Sequence, residues 1–160
     1  MAKNYWLLKS EGDCYSIDDL KKDKKTAWTG IRNYQSRNFM MKDMNVGDVI
    51  LFHHSGGDDT NPTGIYGLAS VCGSAHVDAT QFDKKDDHFD PKATKEKPIW
   101  YCVDIKFVKK FKEPITLAQI KFDPKLEGMR VREVGTRLSV QPVSVQHGEY
   151  LIKKADRVRK

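Results

Sequence analysis

The 160 residues contain no C-x-x-C pair, no long apolar run and none of the short signatures that mark common enzyme classes. The three cysteines, Cys14, Cys72 and Cys102, are odd in number and far apart. That spacing argues against a zinc site and against a disulfide framework, and it suits reduced thiols. The opening "MAKNYWLLKSEGD" has too short an apolar stretch for a secretory leader. No segment approaches a membrane span, so a soluble, cytoplasmic protein with no membrane partner is expected. The phosphate loop G-x-x-x-x-G-K-[ST], the dinucleotide motif G-x-G-x-x-G, the nucleophile elbow G-x-S-x-G and the metalloprotease motif H-E-x-x-H are all missing. Their absence removes most of the case for nucleotide hydrolysis, hydride transfer, acyl transfer and zinc proteolysis. No cofactor and no metal are expected.

What is present describes one globular domain. Hydrophobic residues make up 39% of the chain, and Lys plus Arg number 28 against 22 Asp plus Glu, for a net charge of +6. That balance favours a polyanionic partner without proving one. No repeat or long linker divides residues 1–160, and a basic tail, expected to fray, starts near residue 153. "KNYWLLKS" predicts a strand buried on both faces. "YSIDDLKKD" predicts a short helix capped by Ser16 with Asp19 completing the box, and Lys21, Lys22, Lys24 and Lys25 read as a charged connection after it. Residues 31–44 suit a helix, with Met40 and Met44 one turn apart. "GDVILFHHS" and "GIYGLASVCG" predict an antiparallel pair across a turn-rich loop.

Residues 74–98 read as a polar, solvated loop. Asp83, Asp86, Asp87, His88 and Asp90 within it match no calcium-loop spacing. "IWYCVDIKFVKKF" predicts a long strand that Pro114 ends, and Thr116 caps the short helix that follows. "TRLSVQPVS" predicts a last strand or loop. The segment from Ser144 predicts a helix, which Gly148 weakens. The sum is an α+β fold: a curved, mostly antiparallel sheet forming a small β-barrel flanked by short helices.

Polar chemistry concentrates in three places. Lys9, Ser10 and Glu11 follow a buried strand, where side chains emerge from a sheet. Trp28 brings a broad apolar face and one N–H donor, and Gly30, Arg32, Asn33, Tyr34 and Arg37 follow it closely. Arg137, Ser139 and Gln141 alternate and so predict one face of a strand. His53 and His54 are adjacent in a strand, so they point to opposite faces and do not chelate one metal together. An aromatic wall with amide and hydroxyl donors suits a flat, polar ring, for which a nucleobase is the commonest choice. For Trp28 itself, residue type leaves a core position and a ligand-facing position equally open.

"YWLLKSE", "AWTGIRNYQSRNFM", "VGDVILFHHS", "KPIWYCVDIKF" and "RLSVQPVS", in this order, resemble the EVE domain, a relative of the PUA and YTH domains. The resemblance runs from Tyr5 to about Tyr150. It implies a PUA-like barrel and a non-enzymatic module that captures a single base of RNA or DNA, methylated bases included. It places Trp28 in the pocket wall, Ser10 beside it, His53, His54 and Ser55 at the bordering strand end, and Ser139 and Gln141 in the last polar segment. Family members usually carry proline at Gly12, tyrosine at His53 and alanine at Ser36, so His53 bears on base preference. Two other readings stay open. One is an enzyme acting on a base or nucleotide, with Glu11, His53 and His54 as acid–base groups. The other is a small-molecule module using the same pocket.

Overall fold

The computed structural model describes residues 3–11, 15–132 and 138–157. Strand β1, Tyr5–Glu11, runs through the middle of the architecture. Its side chains alternate between two cores. Trp6 and Leu8 join Trp28, Ile50, Phe52 and Val140 on one side, and Leu7 joins Leu51, Ile65 and Leu151 on the other. Burial on both faces explains why its apolar run is continuous.

Helix α1, Ile17–Asp23, carries the expected capping box: Asp19 N–H donates to the Ser16 hydroxyl and Ser16 N–H to the Asp19 carboxylate. Lys21 and Lys22 belong to its last turn rather than to a loop, and Lys24, at φ 71°, turns the chain into β2, Lys25–Ala27. The helix expected over 31–44 is shorter. Asn33 is extended and caps α2, Tyr34–Asn38, by accepting from Ser36 N–H at 2.9 Å. A single π turn, Phe39–Asp43, follows and closes with Met44 N–H on Phe39 C=O. A side-chain cap at Asn33 competes with helix at 31–33, so the helix begins after it.

The expected hairpin is present as β3, Val49–Ser55, and β4, Gly64–Val71. Strands β5, His76–Val77, and β6, Tyr101–Cys102, form a separate two-stranded ladder. Strand β7, Asp104–Thr116, does not stop at Pro114. The register between β4 and β7 shifts between Ile65 and Gly67, so Pro114 falls in a bulged stretch where a missing N–H disturbs the ladder least. Helix α3, Leu117–Phe122, begins at a Thr116–Gln119 capping box. The last strand, β8, is shorter than expected, Val140–Val143, and leads into α4, Val145–Arg157. Residues 153–157 are thus helical rather than frayed, and Lys154 reaches Asp123.

The main sheet has the order β2-β7-β4-β3-β1-β8. Among the described strands of this sheet, β1 and β3 pair in parallel and the other neighbours are antiparallel. The sheet curls into a half-barrel with short helices around it. Asp48, buried before β3, ties the loop to β1 by accepting from Trp6 Nε1–H at 3.0 Å, Asn4 N–H at 3.1 Å and Asn45 N–H at 2.9 Å. Gly148 does not prevent α4, because it is the contact point: a Cβ there would lie 2.3 Å from the Tyr5 ring. No helix among the described residues is long and apolar enough to cross a membrane.

Candidate functional site

An open cleft of about 550 Å³ lies where β1 ends, and Lys9, Ser10, Trp28, Gly30 and Ser139 all line it. Tyr15, Thr26, Ala27, Thr29, Ile31, Asp87 and His88 complete the lining. The Ser10 hydroxyl donates to Tyr15 C=O at 2.6 Å and so fixes the chain where it leaves β1. Lys9 N–H donates to Ser139 C=O at 2.8 Å, which holds residue 139 at the cleft although it precedes β8. Burial lowers the Lys9 ammonium pKa.

Trp28 is a core residue with one margin on the cleft, not an open plate. It is 8% exposed. Its backbone N–H donates to Val103 C=O at 2.8 Å, and Tyr15 and Phe52 meet its ring edge-on at 5.8 and 5.5 Å.

The opposite wall comes from the segment expected to be a solvated loop. Asp78, its side chain fully buried, accepts from Gly30 N–H at 2.8 Å, Arg32 Nη1 at 3.1 Å, Thr80 N–H at 2.9 Å and the Thr80 hydroxyl. Burial pushes its carboxyl up, but the Thr80, Gly30 and Arg32 hydrogen bonds outweigh that and hold it below the usual carboxylate range. Arg32 also donates to His88 C=O through Nε at 2.9 Å and Nη2 at 2.7 Å, and to Thr80. Gly30, at φ 87°, lies so close to His88 that a Cβ would fall 2.9 Å from the imidazole. Glycine is therefore required there twice over, by conformation and by space.

Several expected site residues sit elsewhere. Arg32 lies behind the wall and clamps it. Asn33 is a helix cap. Arg37 donates to Ile99 C=O and Asn38, and its guanidinium lies over Tyr34, which stacks on Trp100 at 4.9 Å. Gln141 is buried opposite Leu7, on the second core, and donates to Leu138 C=O; Val140 faces the first core. Glu11 ends β1 opposite Ser55. Arg137 lies outside the described residues. His54 and Ser55 border a different cleft, of about 740 Å³, with Tyr66 and Lys110. There the His54 ring stacks on Tyr66 at 4.0 Å, and Nε2 accepts from Ile17 N–H at 3.0 Å. Burial lowers its pKa.

His53 points the other way, as the strand period requires, beside Leu51 and Ile65. It is 1% exposed, and neither ring nitrogen has a hydrogen-bond partner among the described residues. Burial, then the positive charge of Lys9, then His54 push its pKa down to about 3. The folded state therefore binds fewer protons than the unfolded state below the ordinary histidine value. Stability is full above about pH 6.5 and falls as the pH drops from there towards 3, by roughly 2 kcal/mol at pH 5 from this group alone. His53→Phe is expected to flatten that slope in denaturant titrations between pH 7 and pH 5. An unchanged slope would assign the acid sensitivity to other groups.

Tyr15, Asp87 and His88, which line the cleft, and Asp78, which holds its wall, are not among the expected site residues. A signal existed. Asp78, Asp83, Asp86 and Asp90 each accept from the N–H two residues on, so residues 78–92 are a chain of Asx turns. Among the described residues no group of three or more His, Cys, Asp and Glu is placed to hold a metal ion. Cys102 lies 3.6 Å from the His76 ring nitrogens, and His76 pairs with Asp104, but burial and then the Asp78 and Asp104 charges push the thiol up to about 12. It is not a thiolate nucleophile.

Residues 4–154 match the family model described as the EVE domain. Thymocyte nuclear protein 1 of Danio rerio is 36% identical over 92% of this chain and 70% of its own length. A structure described as a hypothetical protein from Leishmania major superposes with a TM-score of 0.93 at 43% identity, covering 99% of this chain and 98% of that one. The human THYN1 protein in complex with 5-methylcytosine containing DNA superposes with a TM-score of 0.87 at 32% identity, covering 96% and 98%. With its half-barrel, its five motifs in order and a model match over nearly its whole length, this chain belongs to the EVE domain family.

Proposed function

We propose that the chain is a single nucleic-acid-binding module whose cleft beside Trp28 captures one base, a methylated base included, without catalysis. The observation that carries this reading is the cleft itself. The margin of Trp28 borders it on one side, Lys9, Ser10 and Ser139 bring polar groups to it, and about 550 Å³ is within the range of small-ligand pockets. The related human THYN1 protein is in complex with 5-methylcytosine containing DNA, which makes a modified cytosine in DNA the favoured occupant. Ser10, Lys9 and Ser139 would contact the base edge and the adjoining phosphate, and the exposed margin of Trp28 would meet the edge of the ring. The net charge of +6 suits phosphate contacts outside the cleft, so affinity should fall as salt rises. His53 and His54 line no part of this cleft, which favours binding over acid–base chemistry.

Thr29 is exposed and lines the cleft, so Thr29→Trp fills it without touching the core. Binding of an oligonucleotide with one 5-methylcytosine, followed by fluorescence anisotropy, should weaken at least about tenfold. The melting temperature should not change. Unaltered binding by this variant would remove the cleft from the function.

A further inference from the structure

We infer that His88 reads the captured base, accepting a hydrogen bond from an exocyclic amino group, so that the cleft takes an amino-bearing ring in preference to its carbonyl counterpart. This rests on the cleft being the base site. His88 is held at the cleft from every side. Its backbone C=O takes two bonds from Arg32, its backbone N–H donates to Asp86 Oδ1 at 2.8 Å, and its ring lies against Gly30. Asp86 Oδ1 is also 3.1 Å from the ring Nδ1. A carboxylate can only accept, so Nδ1 carries the proton, and in that tautomer Nε2 is the ring's acceptor. Among the described residues Nε2 makes no hydrogen bond, and the half-exposed side chain lines the cleft.

An acceptor fixed in this way complements the N4 amino group of cytosine or the N6 amino group of adenine. Against the O4 carbonyl of thymine it would set lone pair against lone pair. A group built to receive one hydrogen bond discriminates because the wrong partner leaves it unpaired. 5-Methylcytosine and thymine share the ring and the methyl group and differ at this edge, so they isolate the effect.

The test compares two oligonucleotides of identical flanking sequence, one with a single 5-methylcytosine and one with thymine at that position. The parent protein should prefer 5-methylcytosine by about tenfold. His88→Ala should lose that preference while still binding the thymine strand, and its melting curve checks the fold. Asp86→Asn keeps the ring but frees the tautomer, and it should reduce the preference as well. A preference that survives His88→Ala, or a parent that makes none, overturns the role given to His88. If Thr29→Trp abolishes binding while the preference survives His88→Ala, only that role fails. If Thr29→Trp leaves binding intact, the cleft reading fails with it.

Discussion

Trp28→Ala should lower the unfolding free energy by about 4 kcal/mol, the cost of emptying a buried indole site that cannot collapse. The ring is walled by Tyr15 and Phe52, and its backbone is tied to the Val103 carbonyl, so neither side can move in to fill the space. For a domain of this size that is a fall of roughly 8–16 °C in melting temperature. Chemical denaturation with the midpoint and slope both measured is the check, and a loss below about 1 kcal/mol would show that the indole faces solvent instead. Trp28→Phe keeps most of the packing and is the variant to use in binding assays, because an alanine there weakens the fold and the cleft together.

Arg32→Ala is expected to cost about 3 kcal/mol. The guanidinium is mostly covered and its partner Asp78 is fully buried, so removing it leaves a carboxylate with only its Gly30 and Thr80 bonds. It also releases the carbonyl of His88, and with it the wall of the cleft. Lysine should not restore the loss, since one ammonium cannot span His88, Asp78 and Thr80 as the planar fork does. Thermal melts of both variants test this. Equal stability of Arg32→Lys and the parent would mean that charge alone, without the fork, holds the wall.

Much of the fold was legible from local chemistry. Ser16 and Thr116 capped helices as their spacing predicted, and the continuous apolar run of β1 reported two cores. Where periodicity and a tertiary contact disagreed, the contact prevailed. Ile31 and Arg32 carry a helical pattern, but Arg32 reaches Asp78 from outside the helix, and Asn33 caps it. Pro114 breaks regular pairing, but a bulge absorbs it. The cleft was half legible. Lys9, Ser10, Trp28, Gly30 and Ser139 come together at it, while Gln141 turns to the other core because its register opposite Leu7 sets its face. The second wall was hidden because residues 74–98 have no apolar period. Their order comes from aspartates bonded to nearby backbone and from Gln81, which is buried and bonds the backbones of Asp78, Ile99 and Trp100. Polar composition resembles a solvated loop even where a few buried polar groups, Asp78 and Gln81 among them, hold it in place.

The seat of Tyr5 on Gly148 bears on how the molecule is made. Strand β1 is synthesised well before α4, yet Leu7, Leu51 and Ile65 are covered in part by Leu151 and Ala155 of α4. At ordinary rates of synthesis, roughly 10–30 s separate the two. During that interval the part of this face that α4 covers is open. The half-barrel is therefore complete only once α4 has docked on it.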